Sequence, residues 1–194
     1  MSRPDLSPHL VHFTRGETDE EAFQTLRKMI AERRLNGNTN FIKGQHRCVC
    51  FTEAPLWSVE NGLANPSAYQ RYKPFGVMFD KTHIYTLGGR PVIYQADEEY
   101  ALLPDSHKWR HVKYEPPVID WTWEREWRLH RDYLDFTPTE TVLVIPTRDY
   151  ANRLYGEHEV EQYMQVLQYS QIMDKLLAIQ HSESFSWRIA VLQE

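Results

Sequence analysis

The chain has few of the features that mark membrane-spanning or secreted proteins. No apolar run approaches the roughly 18 residues that a membrane span requires, and the N-terminal segment MSRPDLSPHL has no apolar core of a secretion signal. Only two cysteines occur, Cys48 and Cys50, and their i, i+2 spacing disfavours a mutual disulfide. We therefore expect a cytoplasmic protein without membrane contact, whose two thiols are reduced and mostly buried.

Several sequence motifs of nucleotide-binding and hydrolytic enzymes are also missing. We find no P-loop, no G-x-G-x-x-G fingerprint and no G-x-S-x-G elbow. The net charge of −5 provides no overall basic field for nucleic acid or acidic membranes. The 194 residues carry 41% apolar residues, which is enough for one domain with a core of its own.

Short strand patterns and isolated helical patterns alternate along the chain, which predicts an α+β fold. Residues 1–135 are expected to carry the site, and residues 136–194 to form a C-terminal α/β extension packed on it. Strands are predicted at 10–15, 48–51, 121–130, 141–146 and 186–192, with two more within 76–94. Helices are predicted from a capping box at Thr18 and Glu21 to Asn36-Gly37, briefly within 57–74, and over 157–180.

The run WTWEREWRLH (121–130) alternates with period two, which places Glu124 and Glu126 on one face of the predicted strand. Two neighbouring carboxylates stabilise a developing cation, or one raises the proton affinity of the other. The alternative is a solvated strand face on which the glutamates pair with Arg128.

Two histidine-containing patterns carry different predictions. His12 lies mid-strand with Thr14 on the same side, where it would bind a ribose hydroxyl or act as an acid or base. A half-buried histidine with satisfied hydrogen bonds is the alternative. The pattern His46-x-Cys48-x-Cys50 lacks the second pair of ligands that structural zinc uses, so no metal is predicted.

A basic segment interleaved with aromatics spans residues 107–114. Lys108, Trp109, Arg110 and Lys113 are the side chains expected to bind a charged substrate, because phosphate contact and base stacking need this mixture. The alternative is an ordinary solvated loop.

Several pieces of the sequence occur in an order that resembles a known family. They are HFT (12–14), VCFTEAPL (49–56), GVMFDK (76–81), PVIY (91–94) and EREWR (124–128). Over residues 9 to 130 the chain is similar to the AbiGi-like family of abortive phage-resistance proteins. This resemblance implies a role in phage defence or as a toxin.

The same pieces resemble a diverged ADP-ribosyltransferase, with FTE in place of the usual Ser-Thr-Ser. That resemblance implies antiparallel sheets with flanking helices, and NAD as a co-substrate without a metal. It implies cofactor contacts from His12, Thr14, Phe51, Thr52 and Tyr94, with Tyr94 against nicotinamide. It also makes Glu126 the catalytic carboxylate, with Glu124 beside it.

Three functional hypotheses follow from these observations. The first is an NAD-dependent ADP-ribosyltransferase-like enzyme that modifies an unidentified nucleic-acid or protein target. The second is a non-catalytic nucleic-acid or protein sensor in phage defence that uses segment 107–114. The third is a metal-dependent nuclease built on clustered glutamate and histidine.

Overall fold

The computed structural model describes residues 6–65 and 72–193. Within these ranges lie five α-helices: α1 (Asp19–Glu32), α2 (Leu56–Glu60), α3 (Lys81–Thr86), α4 (Arg148–Tyr169) and α5 (Lys175–Gln180). The same ranges hold eleven strands: β1 (His9–Phe13), β2 (Arg34–Asn36), β3 (Val49–Thr52), β4 (Gly76–Asp80), β5 (Arg90–Pro91), β6 (Ile93–Gln95), β7 (His111–Lys113), β8 (Glu126–Leu129), β9 (Tyr133–Asp135), β10 (Thr141–Thr147) and β11 (Arg188–Gln193). Short 3-10 segments span Asp97–Leu102, Asp105–Arg110 and Thr122–Glu124.

Seven strands form the main sheet, in the order β11-β10-β4-β1-β3-β8-β5. Its neighbours are antiparallel except for the parallel pair β10–β11. The predicted α+β class is confirmed. Strands β10 and β11 belong to this same sheet, so the segment after residue 135 shares the sheet with β1. No described helix is long and apolar enough to cross a membrane.

The main core covers one face of this sheet and is rich in aromatic side chains. Phe23 of α1 packs on Phe75 and Tyr150, with ring centroids 5.8 and 5.2 Å away. Phe79 contacts Phe51 edge-on at 5.7 Å. Burying side chains of this size removes much apolar surface from water, which stabilises the sheet on which the site is built.

The first helix begins as the sequence predicts and ends earlier. The Thr18 hydroxyl accepts a hydrogen bond from the Glu21 backbone N–H at 3.2 Å, so the predicted N-cap is confirmed. The helix stops at Arg33, which takes a left-handed conformation with φ of 49°. Asn36, where the helix was expected to end, lies instead in β2. This strand pairs with β9.

The predicted second strand within 76–94 is in part a helix. Asp80 accepts hydrogen bonds from the backbone N–H groups of Thr82 and His83 at 2.7 and 3.1 Å, and so caps α3. Asp80 is thus a helix N-cap, a position that favours a short acidic side chain.

The predicted continuous strand over 121–130 is wrong in its first half. Residues Thr122–Glu124 form a 3-10 turn, and Arg125 is left-handed with φ of 44°. Only Glu126–Leu129 pairs in the sheet. Glu124 consequently lies in the turn and Glu126 at the start of β8, rather than both on one strand face.

The C-terminal helical prediction also changes its bounds. The helix starts at Arg148, directly after β10, where the Thr147 hydroxyl caps it. It ends at Tyr169, and α5 follows as a separate helix, so the predicted helix over 157–180 is wrong as one element. The prediction of a short helix within 57–74 is met by α2, and residues 66–71 of that range lie outside the described residues.

Candidate functional site

A cleft of about 800 Å³ lies where β1, β3 and β8 meet. Strand β3 pairs with β1 through the single residue pair Val11 and Thr52, while β8 pairs with β3 along four residues. Strands that share so little pairing diverge, and side chains of both line the cleft between them. Of the predicted site residues, those that line the cleft are His12, Thr14, Phe51, Thr52, Lys113, Glu124 and Glu126.

His12 extends from β1 to β3 where the two strands separate. Its Nδ1 lies 2.7 Å from the backbone carbonyl of Cys50. Burial lowers the pKa of His12, the hydrogen bond to Cys50 opposes that effect, and the charge of Arg15 lowers the pKa further. Because a carbonyl only accepts, the neutral ring carries its proton on Nδ1 and leaves Nε2 as an acceptor.

Thr14 lines the cleft two residues after His12 and is only 1% exposed. Its backbone is fixed by hydrogen bonds with Phe75 and Lys73 at 2.7 and 3.0 Å. Its hydroxyl, however, has no hydrogen-bond partner in the ranges 6–65 and 72–193. A buried hydroxyl without a partner costs folding free energy, which is a common price at a ligand site.

Glu126 is held in the cleft by Arg128. The guanidinium Nε and Nη2 of Arg128 donate to the two carboxylate oxygens at 2.8 and 3.1 Å. The Arg128 side chain is only 3% exposed, and its Nη1 also donates to the backbone carbonyls of Trp109 and His111. The alternative reading was right that Arg128 pairs with a glutamate, Glu126, but wrong that the pair is solvated, because the arginine is buried.

Glu126 affects the ionisation of both Arg128 and the neighbouring Cys50. Burial alone would lower the pKa of Arg128, but the charge and hydrogen bonds of Glu126 outweigh burial and raise it. Burial and then Glu126 raise the pKa of the neighbouring Cys50 thiol well above its ordinary value. The cleft thus holds the Glu126–Arg128 ion pair with a protonated thiol beside it, and Lys43 and Asp97 form a second ion pair along its lining.

Glu124 lies in the turn before β8 and is 4% exposed. Its carboxylate accepts a hydrogen bond from the Tyr72 hydroxyl at 2.8 Å, and its backbone carbonyl accepts one from the Thr52 hydroxyl at 2.5 Å. Tyr72 is fixed in turn by two backbone hydrogen bonds with the side chain of Asn65. This turn therefore places a second buried carboxylate against the same cleft.

Tyr94 is not among the residues that line the cleft. Its hydroxyl donates to the backbone carbonyl of Trp121 and accepts from the backbone N–H of Glu126, at 3.2 and 3.3 Å. Burial raises its pKa above the ordinary value. Tyr94 thus ties together the two ends of the turn that carries Glu124.

Tyr72, Trp121 and Arg128 are among the cleft-lining residues that the sequence analysis did not assign to the site. Trp121 was visible in the run WTWEREW, but period two placed it on the side away from the glutamates. Arg128 was expected to be solvated. No sequence pattern near Tyr72 predicts its place in the cleft, since it contacts Glu124, which lies more than fifty residues away in the sequence.

The basic segment 107–114 is dispersed by the fold. Lys108 forms an ion pair with Asp105 at 2.7 Å, and Arg110 donates to the backbone carbonyl of Pro91 at 2.9 Å. Trp109 is buried and stacks on His130 with ring centroids 5.6 Å apart. Of the four predicted substrate-binding side chains, only Lys113 lines the cleft.

Both cysteines are free thiols, as predicted. Cys48 is fully buried and Cys50 is half-buried. Burial raises the pKa of Cys48 to about 12. Among residues 6–65 and 72–193, no group of three or more His, Cys, Asp or Glu side chains is arranged to hold a metal ion.

Comparisons of this chain with protein-family models, with curated proteins and with solved structures found no match.

Proposed function

We propose that the protein is an NAD-using, ADP-ribosyltransferase-like enzyme. The observation that supports this best is the meeting in one cleft of a neutral histidine from β1, a buried carboxylate from the turn before β8 and a partly exposed carboxylate at the start of β8. The split between β1 and β3 suits this chemistry, because it lets a ligand enter between central strands of the sheet.

The proposed reaction breaks the glycosidic bond between ribose and nicotinamide. Positive charge then develops on the ribose, and a fixed carboxylate nearby stabilises it without reorganising. Glu126 suits this role because Arg128 holds both of its oxygens while 13% of its side chain remains exposed. Arg128 acts as a positioning residue, since its own contacts are buried.

The polar groups around the carboxylates suit a sugar. The unprotonated Nε2 of His12 accepts a hydrogen bond, which a ribose hydroxyl can donate. Trp121 and Phe51 add aromatic surface against which a flat nicotinamide ring packs. The volume of the cleft is ample for a dinucleotide.

The phage-defence or toxin role rests on the AbiGi-like resemblance alone and is part of this proposal. The sensor and nuclease alternatives have less support. The segment proposed for the sensor contributes His111, Val112 and Lys113 to the cleft, but Lys108, Trp109 and Arg110 do not line it, and no described cluster of ligands favours a metal-dependent nuclease.

Replacing Glu126 with glutamine tests the proposal. We expect release of nicotinamide from NAD to fall by about 10²–10³, the cost of losing one fixed charge-stabilising group. The matched control is Glu53→Gln. Glu53 is 14% exposed and pairs with Lys81 at 2.7 Å, so it resembles Glu126 in burial and pairing but does not line the cleft.

The pair of variants separates catalysis from folding. Both should lose some stability, since each leaves a cation without its full partner. Only Glu126→Gln should lose nicotinamide release. If the wild-type protein releases no nicotinamide, or if Glu126→Gln keeps the wild-type rate, the proposed function is wrong.

A further inference from the structure

The C-terminal half of α4 carries apolar side chains on its outer surface. Val160, Tyr163, Met164 and Leu167 are between 40% and 63% exposed. Their spacing of i, i+3, i+4 and i+7 places all four on one face of the helix, and we name this set the α4 stripe. A helix of a globular protein normally turns such a stripe toward the core.

The opposite face of the same helical turns is largely polar and contacts the rest of the chain. The His158 Nε2 lies 2.9 Å from the backbone carbonyl of Glu183, and the Gln162 side chain accepts a hydrogen bond from the Glu183 backbone N–H at 2.7 Å. Tyr169 packs on His181, with ring centroids 5.2 Å apart. The polar face of this half of α4 is thus engaged within the chain, and its apolar face is exposed.

The α4 stripe lies in a stretch of low charge. Residues 162–173 contain no lysine, arginine, aspartate or glutamate. Just before them, Glu157 and Glu161 both pair with Arg27 within the chain. The stripe therefore neither attracts a strongly charged partner nor repels a second stripe, although the whole chain carries a net charge of −5.

We propose that the α4 stripe is the contact surface of a symmetric dimer, in which α4 packs antiparallel to α4 of a second copy of this chain. A twofold axis brings a surface onto itself, so it requires a patch that is complementary to itself. An uncharged apolar stripe meets this requirement. Antiparallel packing also places the positive end of one helix dipole beside the negative end of the other.

The exposed apolar side chains that follow α4 supply further area for this contact. A specific interface of standard size buries about 800 Å² on each partner, which four side chains are too few to provide. Helix α5 and the turn before it expose four more large apolar side chains, by between 47% and 78%: Ile172, Leu176, Leu177 and Ile179. Monomeric proteins rarely leave so much apolar surface in contact with water.

A membrane surface is a poorer occupant for the α4 stripe. Helices that lie on membranes carry lysine and arginine on their polar face, and these side chains contact anionic lipid headgroups. From Leu154 to Gln180 the only lysine or arginine is Lys175. The polar face of α4 also contacts Glu183 of its own chain, which leaves it unsuited to headgroups.

Light scattering coupled to size-exclusion chromatography tests the proposal on the full chain. We expect the mass of two chains at about 100 µM, and dissociation toward one chain on dilution, because dimerisation depends on concentration by mass action. A mass of one chain at the highest concentration overturns the proposal.

Replacing Met164 with glutamate tests which surface forms the dimer. Met164 lies in the middle of the stripe, so a twofold axis brings the two new carboxylates together, and we expect the dimer to weaken by about 100-fold or more. The matched control is Val118→Glu, since Val118 is 83% exposed and lies outside α4 and α5. It should leave the dimer unchanged.

Mixing two oppositely charged variants separates loss of the contact from loss of folding. Met164→Glu and Met164→Lys should each be monomeric alone, and an equal mixture should recover the dimer, because residue 164 of one copy lies opposite residue 164 of the other. A misfolded variant would not recover in this way. A dimer that persists in Met164→Glu, a dimer lost equally in Val118→Glu, or a mixture that stays monomeric overturns the proposal.

Discussion

Residues 107–114 and 121–128 are two neighbouring stretches, each with tryptophan and several charged side chains. In the second stretch, Glu124 and Arg128 are buried and Glu126 is nearly so. In the first, Lys108 pairs with a fully exposed aspartate and Trp109 packs in the interior. Their charges thus lie in different environments, although both stretches combine aromatic and charged residues in the sequence.

The difference lies in what the surrounding fold requires of each charge. A buried charge costs several kcal/mol unless a partner and hydrogen bonds compensate it, so it persists where the fold supplies both. Arg128 has a carboxylate and two backbone carbonyls as partners. An exposed charge costs little and needs no such arrangement. Buried charged side chains with all their hydrogen-bond partners are therefore a better guide to the candidate site of this protein than exposed charged side chains.

Among the tests of this difference between the two stretches, the largest expected effect is on the free energy of unfolding. Replacing Arg128 with methionine leaves Glu126 without its cation, and we expect the free energy of unfolding to fall by about 3–5 kcal/mol. Urea denaturation measures it. Lys108→Met, in the other stretch, should leave the midpoint near the wild-type value because its partner is exposed.

The double replacement Glu126→Leu with Arg128→Met sharpens the same comparison. Removing both charges together should recover much of the lost stability, since apolar pairs replace buried ion pairs at little cost. A loss of less than about 1 kcal/mol for Arg128→Met alone would mean that the pair behaves as a solvated one.

A smaller effect concerns pH. The pKa of His12 lies below its ordinary value of 6.5, so as the pH falls below 6.5 the unfolded chain binds a proton that the folded protein does not. Stability should therefore be full above pH 6.5 and decline below it. His12→Gln should remove part of this decline, measured by urea denaturation on either side of pH 6.5.

His46 serves as the control for that experiment, because burial also lowers its pKa although it lies outside the cleft. His46→Gln should remove a separate part of the acid decline and leave nicotinamide release unchanged. An acid decline of the same depth in His12→Gln and in the wild type would contradict the neutral, Nδ1-protonated state assigned to His12.

The smallest effects are expected in segment 107–114. Lys113→Ala should weaken NAD binding modestly and lower its dependence on salt, because Lys113 lines the cleft. Lys108→Ala and Arg110→Ala should change neither, since their side chains are engaged elsewhere. A fall in the salt slope of nucleic-acid binding for all three variants would instead favour the sensor hypothesis.

Local patterns predicted much of the framework. The strands around His12, Cys50 and Leu143 were recognisable from short apolar runs, and Thr18 from its capping box. These features depend on neighbours within a few residues. The turn at 122–125 was missed, because period-two alternation predicts a strand whether or not Arg125 adopts a left-handed conformation.

By itself the sequence determined the α+β class, the free thiols and the presence of His12, Glu124 and Glu126 on segments near the sheet. Only the tertiary structure decided which side chains share the cleft. Strand β1 meets β3 at a single pair, and Tyr72 reaches Glu124 from a distant segment. Such contacts join residues that are far apart in the chain. They determine which side chains are buried, and burial sets the free-energy cost of each charge. A local sequence pattern therefore does not predict that cost.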